Sequence, residues 1–568
     1  MSSFATRVTS AASASSATFS THTVQNQVPV LEDYSLYDTD PALQEAVRRE
    51  GAQAWHGDLA AHGAWLGRAQ TLEAGHEANR CPPRLIAYDR GGHRIDHVEF
   101  HPAWNLLMSG ILARGLHSRA WAQPTPGAQV ARAAAYLMQG QVEAGTLCPT
   151  TMTFAAVPLL QREPAGAVDF AGQWLPALYS RDFDPADAPL AAKRSALIGM
   201  GLTEKQGGSD LRAATTRAAP LGTPGRGNAY QLVGHKWFFS VPQADAHLVL
   251  AQTDEGLSCF FVPRWIPDGP RNAIRVRRLK DKLGNRSNAS AEVEFENAWG
   301  VMVGEPGRGL AVLLEMAATT RLDCVLGSAA LLRQAVVQSL HHAQYRHAFG
   351  KSLIAQPLMR NVLADLALES EAAMVLALRL ARAVDERADA QARALVRVGT
   401  PAAKLWVCKR AINAIAECME VWGGNGYVEE GPMPRLYREA PVNSIWEGSG
   451  NVMALDVLRA LQREPDALPA LDREFAPAAG HAAFARALSA WRALLADPAQ
   501  AEFQARRIAC GLARLWQAAL LIQHAPAAVA EAFVASRLQA GGGVFGELGP
   551  DTDTAAILAR AWPPAAAC

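Results

Sequence analysis

The hydrophobic pattern of this chain changes period twice, and that change limits the folds open to it. Between about residues 195 and 303 the apolar residues gather in short β-branched or aromatic runs, AYQLVGHKWFFSV, AHLVLAQT, LSCFFVPR and SAEVEFEN, separated by Gly, Pro and Asn turns. The stretch 291–296, AEVEFE, alternates strictly, as a half-buried strand does. On either side the period is helical. Asp40 as N-cap and Pro41 at the first helical position open one helix, and GAQVARAAAYLMQGQVEAG forms another. From Gly309 an apolar stripe runs through Leu310, Leu313, Leu314, Ala317, Leu322, Val325, Leu326, Ala329 and Leu332. Beyond the Pro-rich REPDALPALDREFAP, the last segment is dominated by Ala, Leu and Arg. The pattern predicts an α+β chain in four parts: an N-terminal helical domain over 23–192, a central antiparallel β domain over 193–304, a helical bundle over 305–462 and an appended helical extension over 463–568. Residues 1–22, rich in Ser, Ala and Thr, are expected to be a disordered tail.

Bulk composition removes several classes of function. The 568 residues carry 54 Lys plus Arg against 54 Asp plus Glu, so global charge points to no polyanionic partner. A hydrophobic content of 49% suits a large buried core. No apolar run approaches the roughly 18 residues of a membrane span. The eight cysteines include no C-x-x-C pair, which predicts reduced thiols in a cytoplasmic setting and neither a disulfide framework nor a zinc site.

Five short stretches could carry chemistry. In MGLTEKQGGSD, Thr203 and Ser209 supply hydroxyls while Gly207 and Gly208 let the backbone approach an acceptor-rich ligand; alone, it reads better as a polar turn. GHKWFFS ends a strand with three aromatics and a hydroxyl, which suits a flat heteroaromatic ligand, although at least one ring belongs to the sheet's own core. RHAFG at 346–350 reads equally as a phosphate clamp and as ordinary helix capping. VWGGNGY at 421–427 reads equally as a site and as a helix stop. PVNSIWEGSGN at 441–451 places Glu447 beside Trp446 with no basic residue within eight positions. A surface glutamate needs no such setting, whereas a base reaching into a water-poor pocket does. The alternative for Glu447 is a capping contact to the helix starting near Ser449.

Taken together, in this order and on a helix–sheet–helix chain, T-E-x-x-G-G-S-D, K-W-F-F-S, R-x-x-F-G-K-S-L, G-G-N-G-Y and W-E-G-S resemble the acyl-CoA dehydrogenase flavoprotein family over roughly residues 100–460. The resemblance implies FAD between the β domain and the helical bundle. Thr203, Gly208, Ser209, Phe238, Phe239 and Ser240 would surround the flavin ring and ribityl chain, Ser240 replacing the family's usual threonine. Arg346, Phe349, Gly423 and Gly424 would hold the ADP half from a neighbouring subunit of a homotetramer. Glu420 stands where the family commonly has Gln. Trp446, Gly448, Ser449 and Asn451 would complete the cofactor site around the catalytic base, Glu447. Some members carry the base on the helix instead, at the position of Thr320, just before Arg321; here Arg321 is the expected substrate contact. The implied reaction is α,β-dehydrogenation of an acyl-CoA, slowed by an indole at 446 where the family has a phenol.

The N-terminal THTVQNQVP and the helical extension narrow the resemblance to the alkylation-response branch of that family. That branch implies a second partner, double-stranded DNA, bound without sequence preference. Past residue 460 the chain has nine Arg, no Lys and ten Asp or Glu, so no net basic domain exists. Arg506, Arg507 and Arg514 could form a stripe on one helix, joined by Arg459. The alternative reading is a fully active dehydrogenase of fatty or amino acid catabolism with no DNA role.

Overall fold

A computed structural model describes residues 21–539 and 543–562, so nearly all of the expected 1–22 tail lies outside the described residues. The chain opens with α1 (Pro41–Arg49), α2 (His56–Leu66) and α3 (Ala69–Arg80). Asp40 caps α1 by accepting from the Leu43 N–H, with Pro41 at the first position, as its sequence dictates. A hairpin of β1 (Arg84–Tyr88) and β2 (Arg94–Glu99) interrupts the helices, where the sequence pattern was read as helical. Then come α4 (Pro102–Ala113), α5 (Arg119–Ala122), α6 (Ala128–Val142), α7 (Leu147–Leu160) and α8 (Leu175–Tyr179).

The short runs of the middle segment form one seven-stranded sheet: β3 (Ile198–Gly201), β4 (Arg217–Pro220), β5 (Ala229–Ser240), β6 (Ala246–Thr253), β7 (Gly256–Pro263), β8 (Ile274–Leu279) and β9 (Ser290–Val303). The order is β3-β5-β4-β6-β7-β9-β8, with further pairing of β3 to β6 and β5 to β9. Most pairs are antiparallel, as expected, but β6 runs parallel to both β3 and β4, so the sheet is mixed. A second, smaller core fills it, built from Tyr230, Phe239, Phe260, Phe295 and their neighbours.

The helical period then returns in α9 (Gly309–Tyr345). After the two-residue strands β10 (His347–Ala348) and β11 (Lys351–Ser352) come α10 (Pro357–Asp385), α11 (Ala390–Val421), α12 (Met433–Glu439) and α13 (Gly450–Arg463). The remaining helices are α14 (Ala467–Phe475), α15 (Ala482–Leu495), α16 (Ala505–His524), α17 (Ala527–Val534) and α18 (Thr554–Ala561). They dock on the bundle. Trp516 of α16 is fully buried against Gly399 of α11, where any Cβ would meet the indole at 2.5 Å. Arg560 of α18 reaches back to Glu371 of α10 and Glu45 of α1. Among the described residues, no helix is long and apolar enough to cross a membrane.

Candidate active site

Five elements come together around Cys148 and Glu447. The 441–449 loop carries it, α9 brings Thr320 and Arg321, the start of α7 brings Cys148, the end of β5 brings Ser240, and the segment after β8 brings Lys282 and Asn288. The Cys148 thiol marks the centre: burial pushes it up to about 12, and the charged groups of Lys282 and Glu447 and the side chains of Ser240 and Asn288 all act on it. Thr320 Oγ1 donates to Glu447 Oε2 at 2.6 Å. A hydroxyl of α9 thus holds the Glu447 carboxylate directly. The carboxylate accepts from α9 and does not cap α13, whose N-cap Ser449 makes no side-chain capping bond.

The loop is anchored through its carbonyls. Arg321 Nε donates to the Glu447 carbonyl at 3.0 Å, and Nη1 pairs with Asp456 at 2.8 Å. Lys404, fully buried in α11, donates to the carbonyls of Asn443 at 3.0 Å and Gly448 at 2.8 Å. Trp446 is half-buried, with Nε1 donating to Asn443 Oδ1 at 3.1 Å. Glu447 itself takes a left-handed backbone, φ 56°, followed by Gly448 at φ 101°. A Cβ at Gly448 would come within 2.6 Å of Met453. Arg321, expected as a substrate contact, positions the loop through Nε and pairs with Asp456 through Nη1.

The other expected residues separate into placed and misplaced. Gly208 packs against Thr203, where a Cβ would stand 2.6 Å from Oγ1, and Ser209 is exposed beside them. The residue that sets this loop is Glu204, which the sequence reading passed over. It is fully buried, pairs with Lys236 Nζ at 2.7 Å, and accepts from Thr215 and Thr216. Along β5, Phe238 is half-exposed. Phe239 faces the opposite way, fully buried and stacked on His247 at 3.9 Å, so its ring is sheet core and is corrected as a ligand contact. Asn288 is buried, with its amide facing the Cys148 thiol and no hydrogen bond of full geometry to any other group.

At the opposite end of α9, Arg346 donates to the Asn26 carbonyl. Phe349 is 98% exposed at φ 53°. Gly423, at φ 59°, and Gly424 have nothing within 4 Å of a notional Cβ. Asn451 is exposed at the start of α13. Of the arginines assigned to DNA, Arg459, Arg506 and Arg507 are exposed and make no ion pair among the described residues. Arg514 departs from the expected stripe. Burial lowers its pKa, it lies 5.5 Å from the Trp406 ring, and its Nε is buried without a partner. Arg506 instead meets Lys409 of α11 over Gly450, each 2.8 Å from a notional Cβ there.

Comparison with known proteins agrees along most of the chain. Residues 26–185 match the adaptive response protein AidB N-terminal domain, 199–298 the acyl-CoA dehydrogenase middle domain, and 307–462 the acyl-CoA dehydrogenase C-terminal domain. The chain is 52% identical over 528 residues to the putative acyl-CoA dehydrogenase AidB of Escherichia coli (strain K12), covering 92% of this chain and 96% of that protein. The crystal structure of Caenorhabditis elegans ACDH-11 in complex with C11-CoA superposes with a TM-score of 0.82 at 27% identity, covering 94% of this chain and 93% of that one. Butyryl-CoA dehydrogenase from Megasphaera elsdenii shares the fold at a TM-score of 0.55 and 21% identity, over 76% of this chain and 100% of that one.

Proposed function

Since the chain belongs to the acyl-CoA dehydrogenase family, in its AidB branch, we propose that Glu447 removes the α-proton of a short branched acyl-CoA, with FAD, held by Thr203, Gly208, Ser209 and Ser240, as the group that would accept the β-hydride. The residues present fit that cofactor. Gly208 gives close backbone approach beside the Thr203 and Ser209 hydroxyls, Phe238 offers a half-exposed ring, and the buried amide of Asn288 and the Ser240 hydroxyl belong to the same cluster as Glu447. When bound, FAD supplies the two-electron acceptor that no side chain can provide.

The observation that carries the reading is the Thr320–Glu447 contact. An α-proton next to a thioester is weakly acidic, so the base must be aimed and kept from water before substrate arrives. The hydroxyl of Thr320 aims it, Arg321 and Lys404 fix the loop, and Trp446 shields one side. The left-handed turn at Glu447 also frees its own N–H to polarise the thioester oxygen, where charge develops as the proton leaves. The indole at 446 narrows acyl access and keeps turnover modest. Anaerobic mixing with isovaleryl-CoA tests this: the yellow flavin bleaches, and Glu447→Gln slows bleaching by about 10²–10⁴-fold while retaining FAD. Bleaching at the wild-type rate in that variant would remove Glu447 from the chemistry.

A second reading, non-specific binding of double-stranded DNA, is favoured by Arg506, Arg507 and Lys409 around the starts of α13 and α16, with Arg459 further along α13, all exposed and without an ion pair among the described residues. Repeated in a homotetramer, such patches would sum to many phosphate contacts. Titration of duplex DNA at two salt concentrations is expected to show steep weakening with salt, reduced in slope by Arg506→Ala/Arg507→Ala. Absence of binding at the lower salt leaves the dehydrogenase reading alone.

A further inference from the structure

Apart from the cluster around Glu447, the N-terminal helices enclose a cavity of about 360 Å³, within the range that holds small organic ligands. One part of its wall is apolar: Trp55, Leu59, Leu116, Ala128, Ala131 and Ala135. The other part carries four arginines, Arg114, Arg119, Arg132 and Arg181, with Asp58 as the acid among the lining residues. Arg119 is matched by Asp58 at 3.0 Å, and Arg132 by Asp323 through two bonds of 2.6 and 2.7 Å. Arg114 and Arg181 have no carboxylate partner among the described residues. Each donates to a carbonyl, Arg114 to Gly110 and Arg181 to Ala113. Two positive charges are left uncompensated on one wall.

Arg114 and Arg119 are each held over an indole. Arg114 lies over the Trp65 ring at 4.6 Å and Arg119 over Trp55 at 4.3 Å. His62 also lines the cavity, 1% exposed, with the Ala135 carbonyl as the acceptor its ring faces and no hydrogen bond of full geometry at either nitrogen. Burial, reinforced by the charge of Arg114, lowers the His62 pKa to about 3, so the ring is neutral and presents one N–H donor and one lone pair. Buried polar atoms of this kind ordinarily find partners. An anion seated between Arg114 and Arg181 would pair with both guanidinium groups beside the neutral His62 ring.

We infer that this cavity is a binding site for a small organic monocarboxylate with a compact aliphatic body. Its carboxylate lies against Arg114, Arg181 and His62, and its tail lies along Leu59, Leu116 and Ala131. Inorganic anions would leave the apolar wall wet, and a neutral alcohol would leave the arginines unpaired. A coenzyme A thioester does not fit the volume. The inference is independent of the flavin chemistry. The back wall nevertheless reaches the catalytic helix, because Arg132 grips Asp323, one turn of α9 beyond Thr320.

The test uses the full-length, FAD-loaded protein titrated with octanoate, followed by calorimetry and by tryptophan fluorescence. Saturation at one octanoate per protomer is expected, with octanol and inorganic phosphate each weaker by about ten-fold or more. Arg114→Gln should weaken octanoate by a similar factor. Ala61→Trp, a bulky group at the exposed mouth that leaves the packed helices alone, should abolish binding; both variants should keep the wild-type flavin spectrum. No saturation, equal affinity for octanol or phosphate, or unchanged octanoate binding in Ala61→Trp would each overturn the assignment.

Discussion

Glu447 is held in a backbone conformation that a residue with a Cβ avoids, at φ 56°. Such a conformation costs about 1–2 kcal/mol and persists only where surrounding bonds over-determine it. Here three do: Arg321 on its carbonyl, Lys404 on the carbonyls either side, and Thr320 on its carboxylate. The first two fix the loop and the third fixes the side chain, so their removal should have different consequences. Thr320→Val keeps the volume and deletes a charge-assisted bond worth about 1.5–3 kcal/mol. Flavin content and melting temperature should stay near wild type while the bleaching rate falls by roughly ten-fold, and Thr320→Ser should restore it. Equal rates in Thr320→Val and wild type would mean that the hydroxyl does not aim the base.

Glu439 shows the same economy between elements. At the end of α12 it accepts from Asn79 of α3 at 2.8 Å and from the backbone N–H of Asn285, beyond β8, at 2.7 Å, joining three parts of the chain. Burial first, and the nearby Glu143 second, raise its pKa from 4.5 to about 7. The folded chain therefore binds this proton more tightly than the unfolded chain. Between those two values the folded state carries more protons, so stability falls as pH rises, being fully present below 4.5 and lost through 7. The loss amounts to at most about 3 kcal/mol. Urea unfolding at pH 5 and pH 8 should show a drop that shrinks in Glu439→Gln, which removes the titration; the same drop in both proteins would remove Glu439 from the pH dependence. Long-range ties of this sort explain what the sequence did not reveal. Strand runs, helix stripes and the W-E-G-S loop are local patterns, legible because their periods and turns are written within a few residues. Glu204, Lys404 and Glu439 act on partners up to hundreds of residues away, so no local pattern marks them. The β1–β2 hairpin was overlooked because its strands are five and six residues long between strong helices, although DRGGHR signalled its turn. Arg514 was misread because its helix spacing matched an outward stripe, while Trp406 of α11 draws it inward.

The molecule as a whole leaves one end of its bundle unfinished. The C-termini of α9 and α11 meet there, with His342 stacked on Trp422 at 4.5 Å. Beyond them Phe349 stands 98% exposed and Tyr427 82% exposed, with Leu358 and Val428 also open to solvent. Large apolar side chains left open together at this end are what an interaction surface offers. Phe349 adopts a left-handed backbone only to project outward, a cost with no return inside a single subunit. Gly423 and Gly424, open on the same end, leave room for a ligand to lie flat against the backbone. We propose that this end completes the FAD site of a neighbouring subunit, so that assembly and cofactor retention are a single property. Phe349→Asp should then lower the mass seen by sedimentation velocity and release FAD together, while far-ultraviolet circular dichroism stays unchanged because the ring touches no core. A subunit that separates yet keeps its FAD, or an assembly that survives the substitution with FAD intact, would break the link between the two.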